Sequence, residues 1–116
     1  MDTRGIGIDS AEIHRFQNLD RSDDAHFFAR IFSEGELDYC FSHADPAPHL
    51  AGTFAAKEAV RKVYGDEPIT LSAVEVRHRA SGKPEIWMNG ARSRTLLVSI
   101  THDTRNAIAV AFNQSL

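Results

Sequence analysis

Two segments near opposite ends of the chain place very small side chains on one face of an extended strand. In residues 3–10, small residues alternate with isoleucines, so that Gly5, Gly7 and Asp9 share a face, although glycine is a poor strand residue. In residues 106–113, the corresponding face carries three alanines, Ala107, Ala109 and Ala111. Such faces indicate that a backbone or a ligand packs closely against them, and the alanines favour a helix.

The first half of the chain carries helix signals. An acidic pair at residues 23–24 can cap a first helix that carries several phenylalanines. Ser33 and Glu36 have the spacing of a capping box at the start of a second helix. The longest helix is predicted from about residue 48 to residue 64, because Gly65 provides a stop signal directly after it.

The second half of the chain changes to the alternation that is typical of strands. Residues 71–79 and 85–89 are predicted to form a hairpin across the turn RASGKP. Residues 96–101 and 106–113 are the strongest strands, and residues 90–95 form a brief connection for which a short helix is one alternative. Helices that cluster early and strands that cluster late predict the α+β class, with helices on one side of a mostly antiparallel sheet.

Length and composition limit the classes of protein that this chain can belong to. Its 116 residues fit one domain over residues 1–116, with 42% hydrophobic and 25% charged residues as in soluble globular proteins. A net charge of −3 argues against sequence-independent nucleic-acid binding. Cys40 is the only cysteine, which excludes an intrachain disulfide and favours a cytoplasmic setting. We expect neither a secretion signal nor a membrane span.

On the predicted long helix, Glu58 and Lys62 lie four residues apart and share a face. A helical wheel places them at the edge of an apolar arc, whereas Lys57 and Arg61 are predicted to point toward solvent. One interpretation of the pair is a surface salt bridge of about 0.3–0.5 kcal/mol. The other is a carboxylate that binds a hard cation, followed by an ammonium group that faces the same phosphate. The pair alone does not decide between these interpretations.

Asp9 adds a second carboxylate to this set. If its strand is central, Asp9 lies near the core, where an unpaired carboxylate is costly and needs a cation or several donors. The alternative is that Asp9 caps the turn that follows it. Two carboxylates from separate elements, Asp9 and Glu58, together with Lys62 suit Mg²⁺ and a phosphate-bearing substrate.

Residues near the predicted strand of residues 96–101 provide further candidates. His102 follows this strand and has the parity of its core-facing residues, although a histidine satisfied near a strand end is the commoner case. Thr101 occupies the other face and could bond a phosphate or its neighbours. Lys83, in the SGKP turn, is in most such turns simply solvated. The remaining five histidines show no metal-ligand spacing: His14, His26, His43, His49 and His78.

Taken in order, five segments resemble holo-(acyl-carrier-protein) synthases, a family of small 4′-phosphopantetheinyl transferases. The segments are GIGIDSAEIHRF, FFARIFSEGELDYC, HLAGTFAAKEAVRKVYG, VEVRHRASGKPEI and SITHD. The resemblance covers residues 6–112, and the ordered pair of GIGID and FAAKEAxxK makes it specific. It implies a single domain that transfers the phosphopantetheine arm of coenzyme A to a carrier-protein serine and releases adenosine 3′,5′-bisphosphate. It also implies a homotrimer with active sites between subunits.

The resemblance implies roles for the candidate catalytic residues. Asp9 and Glu58 match the family's metal ligands, here for Mg²⁺. Lys62 matches a lysine that meets the pyrophosphate and assists the leaving group. Charge neutralisation by a divalent ion and an ammonium group is what attack of a serine on a pyrophosphate requires. The serine proton could pass to Glu58 directly, or to a water on the metal that Asp9 and Glu58 hold.

The resemblance also implies where the two substrates bind. His102 matches a histidine of the nucleotide-phosphate site, and Lys83 with Pro84 matches the loop beside the adenosine part of coenzyme A. Thr101, the neighbour of His102, remains a further candidate for binding coenzyme A. Carrier proteins are acidic, so a chain of net charge −3 needs a local basic patch to dock one. The arginines that match this region are Arg15 and Arg21, for which the alternative is a solvated side chain.

Two departures from the family pattern leave other hypotheses open. Thr53 stands where members usually carry an arginine, which removes a candidate phosphate or carrier contact. The segment GDEPITL, with Asp66 and Glu67, is short and acidic where members often have a glycine-threonine-glycine loop. These departures motivate a second hypothesis, a non-catalytic module that binds coenzyme A or a carrier protein. A third is a structural trimer in which the charged pair of the long helix has no chemical role.

Overall fold

The computed structural model describes residues 4–65 and 67–114. Its three α-helices are α1 (Ala25–Ile31), α2 (Glu34–Phe41) and α3 (Ala47–Tyr64). Its six strands are β1 (Gly5–Glu12), β2 (Val74–His78), β3 (Pro84–Met88), β4 (Ala91–Arg92), β5 (Leu96–His102) and β6 (Asn106–Asn113). Single 3₁₀ turns, Ile13–Phe16 and Leu71–Ala73, precede α1 and β2. Among the described residues, no helix is long and apolar enough to cross a membrane.

The strands form two antiparallel sheets of three strands each, in the orders β1-β6-β5 and β2-β3-β4. In the first sheet, β6 is central and pairs with β1 over its whole length, from Gly5 opposite Asn113 to Glu12 opposite Asn106. In the second sheet, β2 and β3 form the predicted hairpin. Helix α3 lies against one face of the first sheet, so the prediction of an α+β fold with antiparallel strands is confirmed.

The small faces of β1 and β6 allow α3 to approach the first sheet closely. A Cβ atom on Gly7 would lie 2.0 Å from the carbonyl oxygen of Ala59, and one on Gly5 would lie 2.7 Å from that of Val63. On β6, the three alanines are fully buried. The close neighbour that these faces predicted is therefore the backbone of a helix. This approach also brings the last turns of α3 next to β1.

The other side of α3 is covered as well, which corrects the prediction for Lys57. Its side chain is 1% exposed, and its ammonium group donates to Glu36 Oε1 at 2.7 Å and to the carbonyl oxygen of Ile31 at 2.6 Å. The second carboxylate oxygen of Glu36 accepts the backbone N–H of Val76 at 2.7 Å. Burial raises the pKa of the Glu36 carboxyl, while Lys57 and the N–H donors oppose this shift. The pair ties α2, α3 and β2 together.

Glu36 owes its position to the capping box predicted at the start of α2. Its N–H donates to Ser33 Oγ at 3.1 Å, and its Oε1 accepts the N–H of Ser33 at 2.8 Å. The capping box is therefore confirmed. At α1, Asp24 occupies the capping position, but its side chain accepts the N–H of Asp20 and makes no capping bond.

Element boundaries differ from the predictions by more than one residue in three places. The first strand is Gly5–Glu12 instead of residues 3–10, and Thr3 lies outside the described residues. Leu71–Ala73 forms a 3₁₀ turn before β2 instead of belonging to the strand. The connection after β3 contains the short strand Ala91–Arg92 and no helix, because these residues pair with the end of β3.

Candidate active site

Lys62 and Asp9 form an ion pair between α3 and β1. The ammonium group lies 3.0 Å from Asp9 Oδ1 and also donates to the carbonyl oxygen of Ile8 at 2.9 Å. Lys62 keeps 54% of its side-chain surface exposed, whereas Asp9 keeps 19%. Because the close packing at Gly7 fixes β1 against α3, this pair occupies a defined place at the surface while remaining open to a ligand.

Glu58 does not pair with Lys62, so the structure does not support the interpretation of these two residues as a surface salt bridge. Its carboxylate instead accepts a hydrogen bond from Arg61 Nη1 at 2.8 Å, three residues further along α3. Arg61 is held in place because its Nε donates to the carbonyl oxygen of Ile69 at 2.7 Å. Lys62 is thereby left to Asp9, and the Glu58 side chain remains 26% exposed.

Lys62 joins two neighbouring depressions of the surface. One, of about 320 Å³, is lined by Asp9, Lys62 and three residues of β1 and β6. The other, of about 250 Å³, is lined by Glu58, Lys62 and the segment that follows α3. The predicted catalytic residues Asp9, Glu58 and Lys62 are therefore brought to one region of the surface, where Lys62 lines both depressions. Asp66, in the segment after α3, lies outside the described residues.

The carboxylate oxygens in this region are suitable ligands for a hard cation. Among the hydrogen bonds of the described residues, Asp9 uses only Oδ1 and Glu58 uses only Oε1, which leaves one oxygen on each carboxylate. Within the described ranges, no group of three or more His, Cys, Asp or Glu side chains is arranged to hold a metal. Two carboxylates are the usual protein share of a Mg²⁺ site whose other ligands are waters and phosphate oxygens.

A separate cavity of about 200 Å³ lies between α3 and the strands β2 and β5. We call it the histidine cavity; its polar and ring-bearing lining residues are Tyr39, Pro48, His49, Thr53, His78, Pro84 and His102. Sequence reasoning expected His102 and Pro84 near a nucleotide, and both line this cavity. It missed His49 and His78, because only the topology brings α3 and β2 to the same place.

The other residues assigned to coenzyme A lie outside the histidine cavity. Lys83 is exposed in the turn between Gly82 and Pro84, both of which line the cavity. Thr101 is exposed and alternates with His102 along β5, so it lies on the opposite face of the first sheet. Within one chain, Thr101 therefore does not reach the cavity that His102 lines.

Thr53 forms part of the cavity wall and carries no charge. It is 3% exposed, and its hydroxyl lies 3.6 Å from the Cys40 sulfur. Burial raises the pKa of the Cys40 thiol to about 12, so this cysteine stays protonated and unreactive at neutral pH. At this position the cavity wall therefore offers atoms that can form hydrogen bonds, but no charge.

The two arginines predicted to contact a carrier protein are in different surroundings. Arg15 is exposed, and its guanidinium lies 5.6 Å from the ring centre of Phe54. Arg21 is held by Glu34 and Asp38 at 2.8 and 2.7 Å. Arg15 is therefore available to a partner, whereas Arg21 has an intramolecular role that the prediction did not include.

Comparisons with known proteins agree on one family. The family model described as the 4′-phosphopantetheinyl transferase superfamily matches residues 5–112. A holo-(acyl-carrier-protein) synthase of Thermodesulfovibrio yellowstonii is 38% identical over 106 residues, which cover 90% of this chain and 93% of that protein.

Solved structures of two such synthases have the same fold. The structure from Neisseria meningitidis is 25% identical, with a TM-score of 0.79 over 99% of this chain and 100% of that one. The structure from Helicobacter pylori, solved in complex with coenzyme A, is 27% identical, with a TM-score of 0.76 over 94% of this chain and 99% of that one. The predicted resemblance is confirmed, and the chain belongs to the 4′-phosphopantetheinyl transferase superfamily.

Proposed function

We propose that this protein is a holo-(acyl-carrier-protein) synthase, which transfers the 4′-phosphopantetheine arm of coenzyme A to a serine of an acyl carrier protein. The observation that carries the proposal is the position of Lys62, which pairs with Asp9 and lines both the depression of Asp9 and that of Glu58. A cation and two carboxylates at one exposed place suit a reaction on a pyrophosphate. The relative from T. yellowstonii bears this name, and the H. pylori structure contains coenzyme A.

The transfer exchanges one phosphorus–oxygen bond for another. The serine oxygen attacks the phosphorus atom that carries the pantetheine arm and forms the new bond to it. The bond from that phosphorus to the bridging oxygen breaks, and adenosine 3′,5′-bisphosphate leaves with the bonding electrons. Lys62 stabilises the negative charge that develops on the leaving phosphate. The serine proton passes to the Glu58 carboxylate, which acts as the general base.

Asp9 and Glu58 are the residues that would hold a divalent cation such as Mg²⁺ in this protein. When bound, the cation supplies charge neutralisation at the pyrophosphate oxygens. Asp9 also holds Lys62 in position through the 3.0 Å ion pair. Activity that survives complete chelation of divalent cations would contradict this part of the proposal.

The histidine cavity is the proposed site for the nucleotide end of coenzyme A. Pro84 provides an apolar surface for the adenosine part, and His102 provides a ring nitrogen for its phosphate. Lys83, exposed beside the cavity, is assigned to the same phosphate. Thr101 lies on the other face of β5 and would contribute only to a site that includes a second subunit.

We further propose that the protein forms a homotrimer through the outer face of the first sheet. This face carries five large apolar side chains that are between 41% and 69% exposed: Ile6, Ile8, Leu97, Ile108 and Phe112. Contiguous exposed apolar surface of this kind is typical of an interface. Because Ile8 and Ile108 also line the depression of Asp9, a neighbouring subunit would border the active site. Light scattering should give about three times the 12.9 kDa of the chain.

Docking of the acidic carrier protein is assigned to Arg15, with Arg21 as a weaker contributor because it already pairs with two carboxylates. A charge at the rim of an interface mainly changes the rate of association. Arg15→Ala should therefore raise the KM for the carrier severalfold, with little change in kcat and a reduced dependence on salt.

The decisive experiment is the intact mass of an apo acyl carrier protein after incubation with this protein, coenzyme A and Mg²⁺. A gain of about 340 Da, the mass of the phosphopantetheine arm, is expected. Glu58→Gln should fold normally and lose nearly all of this transfer. No gain with several carrier proteins, in a sample whose melting temperature coenzyme A still raises, would favour the non-catalytic binding module. A melting temperature that coenzyme A and Mg²⁺ leave unchanged would favour the structural trimer.

A further inference from the structure

We propose that the histidine cavity is a proton-coupled site for a phosphate monoester, so that the phosphate group of a ligand binds there together with a proton. The inference rests on the proposed function for the identity of one ligand, the 3′-phosphate of coenzyme A. The cavity itself supplies the argument, because histidine is the one titratable cation that the described lining residues provide.

Four imidazole rings and one phenol ring are packed into and behind this cavity. The His43 and His49 rings stack with centroids 3.5 Å apart, and the Tyr39 and His78 rings stack at 3.7 Å. The His102 ring lies 6.3 Å from that of His49. These residues come from four different segments of the chain, so the fold and not a local motif assembles the cluster.

The charged and titratable groups that face the cluster set its protonation state. The pKa of His49 is lowered, mainly by burial and to a smaller extent by the charges of His43 and His102, whereas the charge of Asp45 opposes this shift. The pKa of His78 is also lowered, mainly by burial and to a smaller extent by the charges of His49 and His43. Among the described residues, Tyr39 is also in contact with the cluster, and burial raises the pKa of its phenol, which therefore stays protonated. Without a ligand, the His49 and His78 rings are therefore neutral at pH 7.

Two hydrogen-bonding observations show that the cluster has unused capacity. His43 Nδ1 lies 2.9 Å from the carbonyl oxygen of Tyr39, to which it donates as the protonated nitrogen. In contrast, His78 Nδ1 is buried and has no hydrogen-bond partner among the described residues. A buried nitrogen without a partner is costly, and an acceptor that reached it through a movement of the ring would satisfy its protonated form.

An oxyanion fits this cavity better than a metal ion. The stacked arrangement turns ring faces toward one another instead of converging nitrogen lone pairs, and no metal-binding group is found among the described residues. The described lining residues include no carboxylate that would repel an anion. A phosphate dianion in the cavity would favour the protonated form of a neighbouring imidazole and raise its pKa.

The sign of the pH dependence follows from this shift. The pKa of His49 or His78 lies below its ordinary value in the free protein and rises when the anion binds. Between the two values the complex holds more protons than the free protein, so affinity increases as pH falls. The limit is about tenfold per pH unit for one proton taken up. The useful window is about pH 6.5–8, where a phosphate monoester is mostly dianionic.

Isothermal titration calorimetry of coenzyme A, in phosphate-free buffers of different ionisation enthalpy, measures the protons taken up on binding. We expect uptake of a substantial fraction of one proton at about pH 7. Coenzyme A without its 3′-phosphate should bind more weakly and take up none. His49→Gln and His78→Gln should each reduce the uptake, whereas His26→Gln, at an exposed position on α1, should leave it unchanged.

A second arm uses inorganic phosphate and the ¹⁵N spectrum of the histidine rings. Phosphate should shift the ¹⁵N resonances of the ring nitrogens of His49 or His78 toward the values of an imidazolium. The variant Thr53→Val tests whether the hydroxyl group of Thr53 contributes to phosphate binding. This arm does not depend on coenzyme A, so it separates a phosphate site as such from the nucleotide site of the enzyme.

The outcomes separate this inference from the proposed function. If the protein is active in transfer but its affinity for coenzyme A does not depend on pH, the proton coupling is overturned and the proposed function stands. Equal uptake with and without the 3′-phosphate would place the proton elsewhere and also overturn it. If transfer and binding of coenzyme A both fail, the proposed function falls. In that case, phosphate-induced ring protonation would still support the cavity site, and its absence would reject it.

Discussion

Helix α3 carries two lysines five residues apart, and each ammonium group reaches a carboxylate on another element. Lys57 meets Glu36 with 1% and 0% of the two side chains exposed, whereas Lys62 meets Asp9 with 54% and 19% exposed. The distances are similar, 2.7 and 3.0 Å. The two pairs differ in their exposure to solvent, and this difference determines whether a ligand can reach them.

The buried pair acts on the fold, because every partner of its charged atoms is part of the protein. The exposed pair contributes little to stability, since water solvates its members equally well in the unfolded chain. Its geometry is instead maintained by the close contact of α3 with β1, and its ammonium group stays open to a ligand. The comparison teaches that distance alone does not distinguish an ion pair that is sealed inside the fold from one that stays open to a ligand.

The largest expected effect is on stability, from Lys57→Met. The change leaves the Glu36 carboxylate buried without its cation, and loss of one partner of a buried pair costs about 3–5 kcal/mol. Urea denaturation at pH 7.5 should show this loss. In the variant, the pKa of Glu36 rises further above its unfolded value, so the folded state binds more protons. Stability then falls as pH rises, and the deficit should be smaller at pH 5.

The matched control for this change is the double variant Lys57→Met with Glu36→Gln. A glutamine removes the unpaired charge and keeps one carboxamide oxygen, which can accept the N–H of Ser33 or that of Val76 but not both. The double variant should recover part of the lost stability. A single variant as stable as the wild-type protein would break the comparison, because the buried pair would then be no more structural than the exposed one.

The second prediction concerns catalysis at the exposed pair. Lys62→Ala should lower the rate of transfer by about 10²–10³-fold, the usual loss when one group that stabilises transition-state charge is removed. The free energy of unfolding should change by less than about 1 kcal/mol. Transfer kinetics and urea denaturation on the same preparation check both values. Arg61→Ala is the matched control, since it removes a neighbouring cation that pairs with Glu58; a larger loss there would shift the leaving-group role to Arg61.

The two pairs also differ in how far the sequence could predict them. The glycine face of β1 and the alanine face of β6 are local patterns, so close helix packing was predictable from them. The helical wheel described the faces of α3 but not the elements that cover them. Because α2 and β2 bury the side of α3 that carries Lys57, the prediction that it points to solvent is wrong.

The candidate site was predictable where residue types carried the chemistry. Asp9, Glu58 and Lys62 were identified as a set, and the structure brings them to one region. The partner of each charge was not predictable, since helical spacing favours Glu58 with Lys62 and says nothing of contacts across elements. The histidine cavity was missed for the same reason, because His49 and His78 come from elements that only the fold brings together.

A third prediction tests the contact that positions the exposed pair. In Gly7→Ala, the new Cβ would lie 2.0 Å from the carbonyl oxygen of Ala59 and 3.0 Å from the Cβ of Lys62. Helix and strand must separate, which should cost about 1–3 kcal/mol of stability. Transfer activity should fall even in the fraction that remains folded, because Lys62 moves relative to Asp9. Gly35→Ala, on α2, is the matched control that should preserve both, because its new Cβ would meet no atom closer than 3.4 Å.

The smallest expected effect concerns the stability contributed by the exposed pair itself. Asp9→Asn removes the charge and keeps an acceptor for the ammonium group of Lys62, so the free energy of unfolding should change by about 0.2–1 kcal/mol. The difference from the wild-type protein should shrink further in 1 M salt, where the Debye length is about 3 Å. Urea denaturation at low and high salt measures both. If Asp9→Asn instead destabilises the protein as strongly as Lys57→Met, then the carboxylate on β1 is a structural group. Its accessible position would then no longer support its assignment to catalysis.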